Sequence, residues 1–221
     1  MWCIPEIDTQ FIERMEDIVD LYKKPYDPQE PVIGFDEKAK QLIEDKRLCI
    51  PMKPHKPQRY DYEYGRNGTR NIFLAVEPKA GFRTIFITKR RTKVDFAHEI
   101  ERIVMLPRYQ TARRTHIVLD NLNTHCEKSL IETLGEEKTR AIMSRVQFHH
   151  TPKHASWLNM AEIEISILSR QCLHLRIPTE TILKHDIARW EQRRNSRQAT
   201  IHWKFTKQDA RKIFKYDNGQ N

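Results

Sequence analysis

Glycine is scarce in this sequence, with 6 in 221 residues. Neither G-x-G-x-x-G nor G-x-x-x-x-G-K occurs, which excludes the glycine-rich loops that cradle phosphates in dinucleotide-binding and P-loop proteins. Cys3, Cys49, Cys126 and Cys172 are far apart and form no C-x-x-C pair. The start, "MWCIPEIDTQ", has no basic region followed by an apolar one, so no export signal is read and the thiols are expected to be reduced and structural. A zinc site drawn from Cys126, His125, His149, His150 and His154 has no standard ligand spacing behind it. No apolar run approaches the roughly 20 residues of a membrane helix, so no membrane partner is expected and a cytoplasmic location is. Internal repeats and low-complexity linkers are also missing.

Positive charge is present in excess. There are 39 Lys and Arg against 30 Asp and Glu, a net charge of +9, and the isoelectric point is near 9.4. That balance favours a polyanion, nucleic acid before an anionic membrane surface. Part of the charge is clustered near the C-terminus, in "RWEQRRNSRQ" and "KFTKQDARKIFK".

The elements can be placed by periodicity. "DTQFIERMEDIVDLYKK" (8–24) reads as a helix capped by Asp8, with Phe11, Met15, Ile18 and Tyr22 on one face and Pro25 as its stop. "PVIGFD" (31–36) reads as a strand ending in an acid, and 51–70 as a loop rich in Pro, Lys, Tyr and Gly. "NIFLAVEP" (71–78) and "FRTIFITK" (82–89) form a hairpin. A helix follows over 92–106, with Thr92 and Asp95 placed for a capping box and Pro107 closing it. Then come a strand at 116–120, short helices near 127–134 and 136–144, a strand at 146–150 and a long helix over 156–175. Two further helices cover about 179–197 and 206–216. A hairpin followed by strand–helix–strand crossovers predicts an α/β fold with a mixed five-stranded sheet flanked by helices, in the ribonuclease H-like order, with extra C-terminal helices. Three regions are expected: an N-terminal helical linker (1–30), a catalytic domain (31–177) and a basic helical extension packed on it (178–221).

The chemistry is sought in acids. "VIGFDE" and "IVLDN" place Asp36 and Asp120 at the ends of strands expected to be neighbours. A lone strand-end aspartate is more often a turn or cap residue. Two brought together repel unless a cation neutralises them, and Mg²⁺ needs only two or three carboxylates. A third acid from the long helix would complete a site for two ions, suited to in-line phosphoryl displacement. Glu162 and Glu164 are about 200° apart around a helix, so only one can face the cleft. The expected core stripe is Leu158, Ala161, Ile165, Leu168, Cys172 and Leu175. Glu162 shares its flank with the small polar residues Asn159, Ser166 and Ser169, which leans toward Glu162 without settling it.

"VIGFDE", "IVLDNLNTH" and "FHHTPKHASWLNMAEIEISILSRQCL" resemble the three catalytic blocks of DDE transposases, specifically the bacterial insertion-sequence branch of the mariner superfamily. "WCIPEIDTQFIERMEDIVDLY", "YDYEYGRNGTRNIFLAVEP" and "HWKFT" extend the similarity over nearly the whole chain. The resemblance implies metal-dependent cleavage at transposon ends and transfer of the freed 3′-hydroxyl to target DNA, with Asp36, Asp120 and Glu162 as catalytic, metal-holding triad. It implies two Mg²⁺ or Mn²⁺ ions per site, double-stranded DNA as partner, a homodimer bridging two ends and a nucleoid-associated location. Members usually carry a helix-turn-helix region ahead of the catalytic domain. This sequence has no room for one before residue 8, so three readings stand open: a catalytic half with a separately encoded helix-turn-helix partner, a frameshift product, or a truncated copy. Around the triad, His125 is a candidate to orient a phosphate or water, and Lys153 and His154 to grip DNA ahead of the long helix. Arg189, Arg193, Arg194 and Arg197 are candidates for a phosphate-contacting face, "RYDYEYGRNGTR" suits DNA contact, and Trp157 is expected to pack. Two other readings compete: a catalytically silent DNA-binding remnant or regulator, and a nuclease of the same fold acting on other DNA, such as branched DNA.

Overall fold

In the computed structural model, which describes residues 7–216, the first helix forms as α1 (Thr9–Lys23). Asp8 caps it by accepting the Phe11 N–H at 2.7 Å, and Phe11, Met15, Ile18 and Tyr22 are buried along one side. The next element, β1 (Val32–Asp45), departs from expectation by running well past Asp36. The cause is its partner. β2 (Tyr64–Glu77) pairs with it antiparallel from Gly34 opposite Val76 to Asp45 opposite Tyr64. The presumed loop therefore narrows to residues 46–63. Alternation along that ribbon is hidden because both its faces carry polar side chains, such as Lys38, Lys40, Arg66 and Arg70.

β3 (Phe82–Thr88) completes the hairpin. Gly81 enters it at φ +63°, where a Cβ would lie 2.3 Å from the Gln198 carbonyl carbon, so a side chain is excluded on two grounds. α2 (Lys93–Val104) begins with the expected Thr92–Asp95 capping box. After it come β4 (Thr115–Leu119), α3 (Glu127–Leu134), α4 (Glu136–Met143), β5 (Val146–His150), α5 (Met160–Gln171), α6 (Glu180–Ser196) and α7 (Lys207–Phe214). The sheet order is β3-β2-β1-β4-β5, with β1–β4 and β4–β5 parallel and the other pairs antiparallel. This is the ribonuclease H-like mixed sheet.

The sheet buries both faces. Phe73 and Ala75 of β2 turn to one side, with Phe35, Ile117 and Leu119, against Phe96, Ile100 and Ile103 of α2. Ile72, Leu74 and Val76 turn to the other, against Ala161, Ile165 and Leu168 of α5 and Leu183, Ile187 and Trp190 of α6. That two-sided burial is why "IFLAV" is apolar at every position. Each such side chain contributes roughly 1.5–3 kcal/mol by leaving water. α1 and α7 pack over Val118 through Met15, Ile18 and Ala210.

The long helix expected over 156–175 is divided. Ser156–Leu158 is a single 3₁₀ turn, Asn159 caps α5, and the helix ends at Gln171. Lys40 donates to the Leu173 and Leu175 carbonyls just beyond that end, and Leu175, expected in the core, is 52% exposed. Cys49, Cys126 and Cys172 are unpaired thiols, and Cys3 lies outside the described residues. Among the described residues no helix is long and apolar enough to cross a membrane.

Candidate active site

β4 pairs with β1 only along Val32–Gly34 and ends at Leu119. Beyond that last rung the sheet opens into a notch. Asp120 stands at the tip of β4, and Asp36 lies two residues past the final paired position of β1. Alternation along β1 sends Phe35 into the core beside α2 and Asp36 toward α5. Burial raises the Asp36 carboxyl to a pKa of about 7, and the charges of Asp120, Glu37 and Glu162 add to that rise. The Glu37 N–H, donated to Asp36 Oδ1 at 2.7 Å, opposes it. Of the acids singled out from the sequence, Asp36 is thus within electrostatic reach of both Asp120 and Glu162.

The approach of α5 is set by backbone contact. A Cβ on Gly34 would lie 2.8 Å from Asn159 Oδ1 and 2.9 Å from the Ala161 nitrogen, so only glycine lets the helix start this close to β1. Asn159, fully buried, uses both ends of its amide. Oδ1 accepts the Ala161 N–H at 3.0 Å and Nδ2 donates to the Phe35 carbonyl at 2.9 Å, one residue before Asp36. Tyr22 of α1 adds a bond from its hydroxyl to the Leu158 carbonyl at 2.9 Å. Glu162, in the first turn of α5, is exposed and is fixed relative to Asp36 through these ties.

Glu164 has a different setting. It is fully buried, 3.0 Å from Arg83 Nε of β3, and it accepts from Arg194 Nε at 2.9 Å and Nη2 at 2.7 Å. Arg194, expected on a phosphate-contacting face, is therefore engaged inside the protein. The correction has a simple physical cause: a fully buried carboxylate needs paired cations, and those cations come from elements distant in sequence.

His125 is also buried, at 2% exposure. Its Nδ1 is 2.8 Å from Asp120 Oδ1, its Nε2 is 3.3 Å from Glu37 Oε2, and its ring stacks on Phe96 at 4.7 Å. Burial opposes a charge on the ring, but the two carboxylates outweigh it and push the pKa up to about 9. The ring faces acids and aromatic walls, so it orients Asp120 in place of reaching solvent for a phosphate. Glu37 was missed in the sequence. Its signal was the adjacent pair Asp36–Glu37, which a strand must direct to opposite faces.

Glu37 Oε2, Asp120 Oδ1 and His125 Nδ1 have no in-line hydrogen-bond partner although buried. Glu37, Asp120 and His125 place one ligand atom each within 4.8 Å of one another. Those atoms face one another around the His125 ring, whereas a raised Asp36 beside the charges of Asp120 and Glu162 suits a hard cation. A charged imidazole is no ligand, so the oxygens of Asp36, Asp120 and Glu162 fit the ion better than the Glu37–His125 set.

The remaining candidates scatter. Lys153 and His154 are exposed in the turn after β5, with His154 at φ 62°. Arg189, Arg193 and Arg197 are exposed along α6. Trp157 packs against Phe205 and Trp203 at 5.1 and 6.4 Å. Tyr60, Tyr62 and Tyr64 are exposed at the entry to β2.

A family model described as DDE superfamily endonuclease matches residues 31–184. No curated protein matches the chain. Among solved structures, the Mos1 mariner paired end complex with Mn aligns at a TM-score of 0.56 and 14% identity, over 90% of this chain and 61% of that one. A pre-cleavage Mos1 transpososome aligns at 0.55 and 12%, over 90% and 64%. The Mos1 strand transfer complex aligns at 0.51 and 15%, over 87% and 57%. At such identities the likeness is one of fold, and the chain spans 61% of the first of these structures' length.

Proposed function

The chain belongs to the DDE superfamily of endonucleases, and from that premise we propose that it is the catalytic domain of a mariner-like transposase. Its substrate is double-stranded DNA, cut at transposon ends and joined through the freed 3′-hydroxyl to a target. The reading is supported most by the notch beyond β4, where Asp36 is held at a pKa of about 7 by burial and by the neighbouring charges of Asp120, Glu37 and Glu162. The net charge of +9 suits the same partner.

Asp36, Asp120 and Glu162 hold divalent metal, two Mg²⁺ or Mn²⁺ ions in the full site. When bound, such ions activate the attacking hydroxyl and stabilise the leaving oxygen. The rest is done by the chain. Asn159 and Gly34 fix Glu162 against Asp36, and His125 with Glu37 holds the Asp120 carboxylate from behind. The solved structures of the same fold include Mos1 complexes with Mn and with Mg, and one with the left transposon end, which supports metal and DNA as ligands here. A dimer bridging two ends and a separately encoded helix-turn-helix partner complete the proposal. So does the division into a linker (1–30), a catalytic unit (31–177) and a basic extension (178–221).

The test is nicking of duplex DNA with millimolar Mg²⁺ or Mn²⁺. Asp120→Asn should abolish it, at least a hundredfold, with binding retained. Binding without nicking under any metal would favour the silent regulator. Preference for four-way junctions over linear ends would favour another nuclease.

A further inference from the structure

We propose that the groove between the C-terminal end of α5 and the outer face of α6 is a second DNA contact, gripping the backbone of the duplex held at the acids four or five base pairs from the reacting phosphate. This rests on the transposase reading for the presence of DNA at the notch. The groove encloses about 660 Å³, and its polar lining includes Gln171, His174, Arg189, Arg193, Ser196 and Arg197.

The three arginines recur every fourth residue, so they stack along one face of α6 about 6 Å apart. All three are exposed, and none enters an ion pair among the described residues. Arg70 is paired to Glu180, Arg83 and Arg194 to Glu164, and Arg176 to Asp45. Like charges at this spacing repel, and a polyanion along the row relieves the repulsion. Asp186, which contacts His185, is the one acid in the lining. The favourable field of a helix C-terminus accounts for cations in the last turn. It does not account for Arg189, a turn earlier, or for the concavity.

The groove lies toward the far end of the same helix that carries Glu162. From Glu162 the solvent face of α5 runs through Ser166 and Arg170, and His174 follows three residues past the helix end, every one exposed and none after Glu162 acidic. Glu162 to Gln171 is about 14 Å along the helix axis, or about four base pairs at 3.4 Å each. One duplex lying along α5 meets both.

The experiment measures full-chain affinity for an arbitrary duplex of ~30 base pairs as salt is varied. The triple variant Arg189→Ala, Arg193→Ala, Arg197→Ala should weaken binding at least tenfold at low salt. It should also lower the slope of log K against log salt by about 2–3, since each phosphate contact carries about 0.9. A control removes the same charge elsewhere on the exposed surface, through Lys23→Ala, Arg140→Ala and Lys212→Ala, and should leave the slope unchanged. Equal losses in both triples would reduce the effect to net charge and overturn the groove. Equal affinity for an RNA duplex of the same length would overturn DNA as its occupant. A chain that never nicks yet shows the groove-specific slope change would sink the transposase reading and spare the groove. A chain that nicks while the groove variant binds normally would do the reverse.

Discussion

Glu162 and Glu164 stand two positions apart on α5, one exposed in the first turn and one fully buried between Arg83 and Arg194. Their substitutions should separate cleanly. Glu162→Gln should remove metal-dependent nicking with little change in stability, because an exposed carboxylate has few contacts to lose. Glu164→Gln should destabilise the protein by about 3–5 kcal/mol, because it leaves two guanidiniums largely buried without a counter-charge. Urea unfolding of both variants decides the matter, and an unfolding midpoint unchanged in Glu164→Gln would refute the buried pair's role. Helical periodicity in the sequence leaned toward Glu162 only through its small polar neighbours. The partners that claim Glu164 come from β3 and α6, and no local pattern announces them. Asn159 is a similar case: the sequence places it inside a helix running from 156, and both its role as cap and its second bond, to the Phe35 carbonyl, depend on β1 lying against it.

At the scale of elements, α1 is fastened to the sheet through histidines. Asp17 accepts from His149 Nδ1 at 2.6 Å, and His149 Nε2 is 2.9 Å from His116 Nδ1. Burial pulls the His116 pKa down to about 4, and the positive charges of His149, Lys24 and Arg114 add to burial while Glu30 opposes it. The unfolded chain therefore binds a proton that the folded one refuses between pH 6.5 and about 4. Stability is complete above pH 6.5 and falls as pH drops through that window, by up to about 3 kcal/mol. The Asp17 carboxyl, lowered by its bond from His149, contributes stability above the ordinary carboxylate range and loses it only at lower pH. Replacing His116 by Gln should flatten the melting temperature between pH 6.5 and 4, and a profile as steep as that of the native chain would refute the assignment. Elements with strong periodicity, α1 and α2 among them, fell where expected. The first half of β2 did not, because a two-stranded ribbon with polar faces carries no alternation to read.

At the scale of the whole molecule, metal binding and folding are linked. Any ion that binds the assembled acids but not the unfolded chain raises stability by about 2.7 kcal/mol at a hundredfold excess over its Kd. Millimolar Mn²⁺ or Mg²⁺ should raise the melting temperature, and Asp120→Asn should erase the rise. The same shift in native and variant chains would place the ion elsewhere. The sequence by itself determined the class of fold and the family, and it offered the three acids and the excess positive charge on which the proposal rests, since alternation, charge balance and motif blocks are written along the chain. Tertiary structure decided which neighbours each acid has: His125 and Glu37 behind Asp120, Asn159 and Gly34 between Asp36 and Glu162, and the arginine pair around Glu164. Those are contacts between strands and helices remote in sequence, and their energies depend on burial and distance, which exist only once the sheet has formed.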